Sequence, residues 1–279
     1  MKNWGRFTAW SLFAMLVIGL LIYARRVQEE TVAKKPNVAI HVDDENAFLT
    51  EEELLVRLRR AGLLFDGQTM EQVKTGAIES FIRKMHEVES VEVFKRLGGQ
   101  WDIRLKVRRP LARIFNNTGQ SFYVDVKGAT MDPTPNFTAR TLIFSGNIPD
   151  VSDSLTVDMI NANDSLRSVR VLDDIYLLAK HINEDPFLKA QIAQVHRTTG
   201  GDFILIPQVG GHKIIFGAAL NDADVKEKLD KLVIFYKEGL PYEGWNKYET
   251  INLKFRNQIV CKRKDEPKPE GETIQPAPH

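Results

Sequence analysis

Residues 91–107 read VEVFKRLGGQWDIRLKV, two runs in which apolar and polar side chains alternate on either side of Gly98-Gly99. Alternation with period two is the signature of half-buried strands, and a Gly-Gly pair between two such runs supplies the positive φ angles of a tight hairpin. Working outward, Thr69-Met70-Glu71-Gln72 has the form of a capping box. It should open a helix whose stripe is Val73, Ala77, Ile78, Phe81, Ile82 and Met85 at three- and four-residue spacing. A first capping box, Thr50-Glu51-Glu52-Glu53, should open another helix that buries Leu54, Leu55 and Leu58 and stops at Gly62. Before it, Val38, Ile40 and Val42 alternate with Ala39, His41 and Asp43 as a strand would. The order strand, helix, helix, strand, strand predicts a small α+β domain over residues 37–109, ending near Arg109-Pro110.

Further toward the N-terminus, FTAWSLFAMLVIGLLIYA spans Phe7–Ala24 without a charge. As a helix it would be roughly 27 Å long, close to the hydrocarbon thickness of a bilayer. Trp10 and Tyr23 stand near its ends, and Arg25-Arg26 close it sharply. A core helix would carry polar positions on one face, and a cleaved signal would place small residues where Leu21, Ile22 and Tyr23 stand. We therefore expect an uncleaved anchor contacting lipid through residues 7–24. It would follow a short head (residues 1–6) and precede a polar linker (25–36). The flanking charges slightly oppose an external C-terminus, so orientation must come from elsewhere.

Beyond Pro110 the pattern is mostly strands: Leu111–Phe115, Phe122–Val126, Leu142–Phe144, Ile192–His196, Phe203–Ile206, Lys213–Phe216, Thr250–Phe255 and Gln258–Lys262. Two helices are expected. Ser165–Asn183 would bury Val169, Leu172, Ile175, Tyr176 and Ala179; Asp222–Lys237 would bury Val225, Leu229, Leu232, Val233 and Tyr236. Thr130–Phe137, with Pro133 and Pro135, should be a loop. Residues 110–264 thus read as a mostly antiparallel β domain with flanking helices, and 265–279 as a disordered Pro- and Glu-rich tail.

The 279 residues contain 43% apolar and 27% charged side chains, with 38 basic residues against 37 acidic. This composition is globular, and the balanced charge gives nucleic-acid binding no support. One cysteine, Cys261, permits no intrachain disulfide. The six histidines make no HxxxH or HxH pair, and there is no CxxC set, GxSxG elbow or SxxK. Gly210-Gly211-His212-Lys213 lacks the GxxxxGK[ST] frame and precedes a strand, so it reads as a turn. Asp173-Asp174 and Glu51–Glu53 fall on helix N-terminal turns, where carboxylates offset the dipole. Arg104, Lys106, Arg108 and Arg109 form a basic strand face, read as an exposed hairpin surface in preference to an anion site. No catalytic residue, cofactor or metal ligand emerges, and an interaction protein is the better reading.

Several strings resemble those of the FtsQ/DivIB family. Lys106-Val107-Arg108-Arg109-Pro110-Leu111-Ala112-Arg113 resembles its "ERRPVAR" segment. Phe122-Tyr123-Val124-Asp125-Val126-Lys127-Gly128 is similar to "WLVDADG". Leu142-Ile143-Phe144-Ser145-Gly146 falls where "LP-x-x-x-G" is usual, without the proline. Gly201–Leu205 and Lys213–Gly217 resemble the strand pair ending in "LG". Thr250–Gln258 resembles "xIDLRYxNG", with Asn252 for Asp and Gln258 where Gly is common. The resemblance covers nearly the whole chain.

It implies a POTRA domain after the anchor, an N-in, C-out topology in the bacterial inner membrane, and no catalysis. It also implies a division-septum scaffold that binds FtsB and FtsL outside the cytoplasm and helps control septal peptidoglycan synthesis. A physical route is available: the last strand has only the Pro-rich tail after it, and at a sheet edge its backbone could pair with a partner's strand. The resemblance places partner binding at Phe255, Asn257, Gln258, Ile259 and Arg263, with Val260 and Lys262 included by adjacency. Alternation requires that either Ile259 or Val260 pack inward. The competing readings are a POTRA-bearing export or outer-membrane assembly component and a membrane-tethered cell-wall enzyme.

Overall fold

The computed structural model describes residues 4–42, 49–134 and 138–264, and the chain divides into two units, one running to Arg109 and taking in Thr134–Ala139, the other made of Pro110–Pro133 and the chain from Arg140 on. In the first, helix α1 (Trp4–Glu30) carries the apolar run. From Thr8 on, its membrane-length window buries nothing against protein, which sets it apart from a core helix. The helix passes Ala24 by six residues, so the polar segment expected as a linker is helical to Glu30. The chain stays bonded afterwards: the Glu29 and Thr31 carbonyls accept from the Glu71 and Met70 amides, at 3.0 and 2.9 Å.

Strand β1 (Asn37–His41) pairs in parallel with β3 (Trp101–Val107), and β3 pairs antiparallel with β2 (Val88–Lys95), giving the order β1-β3-β2. Val42, expected in the first strand, lies just outside it. Between β2 and β3, Gly98 and Gly99 take φ of 74° and 75°, the turn that the glycine pair predicts. Two helices cover the sheet. In α2 (Glu51–Arg60), the Thr50 hydroxyl caps the Glu53 amide and Leu54, Leu55 and Leu58 are buried. In α3 (Thr75–Arg83), Ile78 and Ile82 are buried. Burying each such side chain favours folding by about 1.5–3 kcal/mol, and these five share the small core with Val88, Val91 and Val93 of β2 and Trp101, Ile103, Leu105 and Val107 of β3.

The second capping box does not open α3. Gln72 Oε1 does accept from the Thr69 amide at 2.9 Å. Residues 69–73 close only a turn, with the Met70 and Glu71 amides bonded to the chain at the end of α1; Lys74 then leaves helical geometry at φ −86° and ψ 84°, and the helix starts at Thr75. Ala77 therefore falls on the exposed side.

The second unit is one nine-stranded sheet. It contains β4 (Pro110–Phe115), β5 (Ser121–Asp125), β6 (Thr130–Met131), β7 (Leu142–Gly146) and, after four helices, β8 (Ile192–Arg197), β9 (Phe203–Pro207) and β10 (Lys213–Gly217). β11 (Tyr248–Asn252) and β12 (Val260–Arg263) complete it, in the order β12-β11-β10-β9-β8-β7-β4-β5-β6. Antiparallel joins predominate, but β4–β7, β7–β8 and β10–β11 are parallel. Each parallel join is made across helices or a long connection, the geometry that parallel pairing requires. Thr130–Met131, expected in a loop, pairs with β5; of that loop, residues 135–137 lie outside the described residues, as does the tail 265–279.

The helices between β7 and β8 are α4 (Val157–Asn161), α5 (Asp164–Arg167), α6 (Leu172–Glu184) and α7 (Pro186–Gln191). The single helix expected over 165–183 is thus broken. The Val171 amide donates to Asp150 Oδ2 at 3.0 Å, Val171 leaves helical geometry at φ −134° and ψ 6°, and Val169 stands exposed. Leu172, Ile175, Leu178, Ala179 and Ile182 pack into the main core with Phe144, Val195, Phe203 and Leu205. Helix α8 (Asp222–Ile234), capped by Asn221, runs into a π turn (Phe235–Gly239) and then α9 (Leu240–Glu243), which begins with Leu240-Pro241. The helix expected through Lys237 therefore changes pitch three residues early.

Candidate functional site

β12 is the last strand of the sheet, and among the described residues it pairs with β11 alone. The pairing aligns Thr250 with Lys262, Ile251 with Cys261 and Asn252 with Val260. Beyond the strand, the Lys264 amide donates to the Lys247 carbonyl at 3.0 Å. Strands alternate their side chains between faces, and here Ile259 and Cys261 pack against the core while Val260, at 44% exposure, faces out with Lys262. Lys262 reaches Glu249 at 2.6 Å, and Arg263 lies 3.8 Å from Glu243.

The connection between β11 and β12 begins earlier and ends later than the alternation suggests. The Leu253 amide donates to the Ile215 carbonyl at 2.9 Å, and Lys254 donates to the Asn252 side chain at 3.0 Å, which turns the chain. Phe255 is consequently a half-exposed turn residue, not a strand residue. Asn257 sits at φ 57°, a left-handed conformation that Asn tolerates better than other residues with a Cβ. Gln258 is exposed and precedes β12. Lys231 Nζ on α8 donates to the Phe255 carbonyl at 3.2 Å, tying the connection to the helix.

Beside this connection lies an open groove of about 380 Å³ between the α8–π-turn surface and residues 257–259. Ile234, Phe235 and Gly239 form one wall and Ile259 the other. Ile234 is 55% exposed, and Phe235 leans on Tyr248 with ring centroids 5.9 Å apart. Gly239 is required here by proximity: a Cβ would stand 2.8 Å from Phe235 Cδ2. The sequence reading missed this wall, because an exposed isoleucine at the end of an amphipathic helix gives no sign of what lies across from it. The Pro241 that ends the helix and the Gly239 before it were the available cues.

Of the predicted residues, Phe255, Asn257 and Gln258 thus lie on the connection and Ile259 on the groove. Val260, Lys262 and Arg263 line the outward strand. The chemistry on offer is a row of edge backbone groups, an adjoining largely apolar groove and a rim of ion pairs, Lys231–Glu227, Lys262–Glu249 and Arg263–Glu243. No acid–base pair accompanies it.

Elsewhere, Ser145 Oγ lies 3.3 Å from His196 Nδ1 and receives the Gln194 amide at 2.7 Å, so its oxygen is already engaged as an acceptor. His212, in the glycine-rich turn, is buried and shares a 2.6 Å hydrogen bond with the Tyr236 hydroxyl. Burial pushes the His212 pKa down and Tyr236 up to about 12, which keeps the pair neutral. Among the described residues no group of three or more His, Cys, Asp or Glu side chains gathers to hold a metal. Glu51 and Glu53 are paired with Lys35 and Arg57 at 2.7 and 2.6 Å.

Two family models match the chain. One, POTRA-like domain, covers residues 31–106; the other, FtsQ/DivIB, C-terminal related, covers residues 109–262, more than half of the sequence. No curated protein matches it.

Proposed function

The chain belongs to the FtsQ/DivIB family, and from that premise we propose that it is a division-septum scaffold whose β12 edge captures a partner strand. The family assignment carries a general scaffolding role in cell division, and the apolar α1 is consistent with a single-pass membrane anchor. In our reading α1 is uncleaved, the N-terminus is cytoplasmic, and both folded units lie outside the inner membrane. The partners are FtsB and FtsL, and the complex helps control septal peptidoglycan synthesis.

The observation that carries the reading is the place of β12 at the end of the sheet order. An edge strand presents unpaired N–H and C=O groups, which an extended segment can complete while its side chains reach alternate pockets. Val260 and Lys262 face one side of that segment. On the other, an apolar side chain of the partner could enter the groove walled by Ile234 and Ile259.

The test is capture of FtsB and FtsL by the full-length protein in detergent or nanodiscs. Ile259→Pro should abolish capture while the melting transition is retained. Val260→Pro, on the exposed face, should do the same and guards against a packing artefact at Ile259. Wild-type capture by both folded variants would refute the docking mode.

A further inference from the structure

One apolar side chain of the first unit has no role in its core or in the proposed site. Leu97, at the tip of the β2–β3 hairpin, is 84% exposed. Its two neighbours are held by one residue of α1: Gln28 Nε2 donates to the Arg96 carbonyl at 2.8 Å, and Gln28 Oε1 accepts from the Gly98 amide at 3.1 Å. Next to this clamp, the Lys34 amide donates to the Gly99 carbonyl at 2.8 Å. Gly99 approaches the chain after α1 so closely that a Cβ would stand 2.5 Å from the Val32 carbonyl oxygen. The hairpin tip is therefore fixed in height along the axis of α1.

That height can be calculated. The uncharged run ends at Ala24, and Gln28 lies four residues further along a continuous helix, about 6 Å at the α-helical rise. The headgroup layer adds roughly 5–7 Å to each side of the hydrocarbon. If α1 spans the membrane, Leu97 is held at the level of the headgroups. Arg25 and Arg26 precede Gln28 on the helix, Arg25 paired with Glu29 at 2.9 Å, and Arg96 is next to Leu97 on the hairpin. Arg96 also bonds Asp102, yet its side chain remains 48% exposed.

We propose that the β2–β3 hairpin tip is a second membrane contact, with Leu97 embedded in the interface of an anionic bilayer and the neighbouring arginines on its headgroups. The proposal rests on the reading of α1 as a spanning helix. It gives the first unit a fixed orientation on the bilayer, in place of free rotation on a tether. An apolar side chain among basic ones is the usual composition of an interfacial contact, and anionic headgroups complement the arginines.

The test uses the full chain in nanodiscs of phosphatidylethanolamine and phosphatidylglycerol, in a Cys261→Ser background, with an environment-sensitive fluorophore on single introduced cysteines. Leu97→Cys should give blue-shifted emission and several-fold stronger quenching by a shallow nitroxide lipid than Tyr242→Cys, a site 89% exposed on the second unit. Adding Gln28→Ala should reduce that quenching. A label at Gln100→Cys, which leaves Leu97 in place, should lose its blue shift when Leu97→Asp is introduced. Water-like emission at position 97, with a label at Met15→Cys in mid-span quenched by a deep nitroxide, would overturn this proposal alone. If Met15→Cys were also water-exposed, the spanning helix itself would fall.

Discussion

Asp174 shows how one residue can be misjudged from its position in a helix. On the first turn of α6 it should be a solvated charge favoured by the dipole. It is instead half-buried, and desolvation, with Asp173 beside it, pushes its pKa up to about 6 against the pull of Arg197 and Arg167. The folded state thus holds the proton more tightly than the unfolded chain, so ionisation of Asp174 weakens the fold above about pH 6. The penalty is relieved as pH falls from 6 toward the unfolded carboxylate value near 4. The full shift of about two units would correspond to roughly 3 kcal/mol; screening by partial exposure reduces this to about 1 kcal/mol. Asp174→Asn should therefore raise stability by about 1 kcal/mol at pH 7.5 in urea denaturation, with the gain gone at pH 4. Equal gains at both pH values would contradict this account. The residue type and the helical turn were legible in the sequence, but the burial was not. Nor were the charges that act on it, since Asp150, Arg167 and Arg197 come from other elements.

At the level of elements, the hairpin of β2 and β3 and the strands β8 to β10 were readable because their side chains alternate and their turns carry glycine. The failures share one cause, namely long-range bonds that override local periodicity. Asp150 stops the helix before α6, and residues 69–73 form a turn bonded to the end of α1, with Lys74 out of helical geometry before α3. Likewise the edge strand and its candidate residues could be read, but the groove could not. Ile234 and Ile259 lie 25 positions apart and are brought together by the Lys231 bond to the Phe255 carbonyl. The π turn is the element that shapes this wall, so Gly239→Ala is its direct test. The backbone there tolerates alanine, at φ −92°, but the new methyl meets the Phe235 ring, which is packed on Tyr248. Overpacking of this kind costs about 1–3 kcal/mol. We expect a loss near the lower end in thermal or urea unfolding, together with weaker capture of the proposed partner strand as the ring moves into the groove. Lost stability with unchanged capture would show that the groove takes no part in binding.

For the whole molecule, the arrangement of the first unit divides the work of α1 into two separable parts. Phe7–Ala24 needs only to be apolar and long enough for a bilayer, because none of its described side chains packs on the folded units. Gln28–Lys34 instead holds the sheet through specific bonds from Gln28, Glu29, Thr31 and Lys34, and the buried Trp101 indole donates to the Lys34 carbonyl at 2.8 Å. The scaffold reading then makes an ordered set of predictions for cells depleted of the protein. Depletion should produce filaments without septa. A chain with Phe7–Ala24 replaced by an unrelated apolar span should restore septation fully, since only membrane attachment is exchanged. A chain with Gln28–Thr31 replaced by a Gly/Ser tether of equal length should reach the membrane in equal amount yet restore septation poorly, because the first unit loses its hold on the anchor. Cell length and membrane-fraction immunoblots, scored together, separate lost attachment from lost orientation. Full rescue by the tethered chain would show that the clamp contributes nothing to division, and normal septation after depletion would remove the scaffold reading itself.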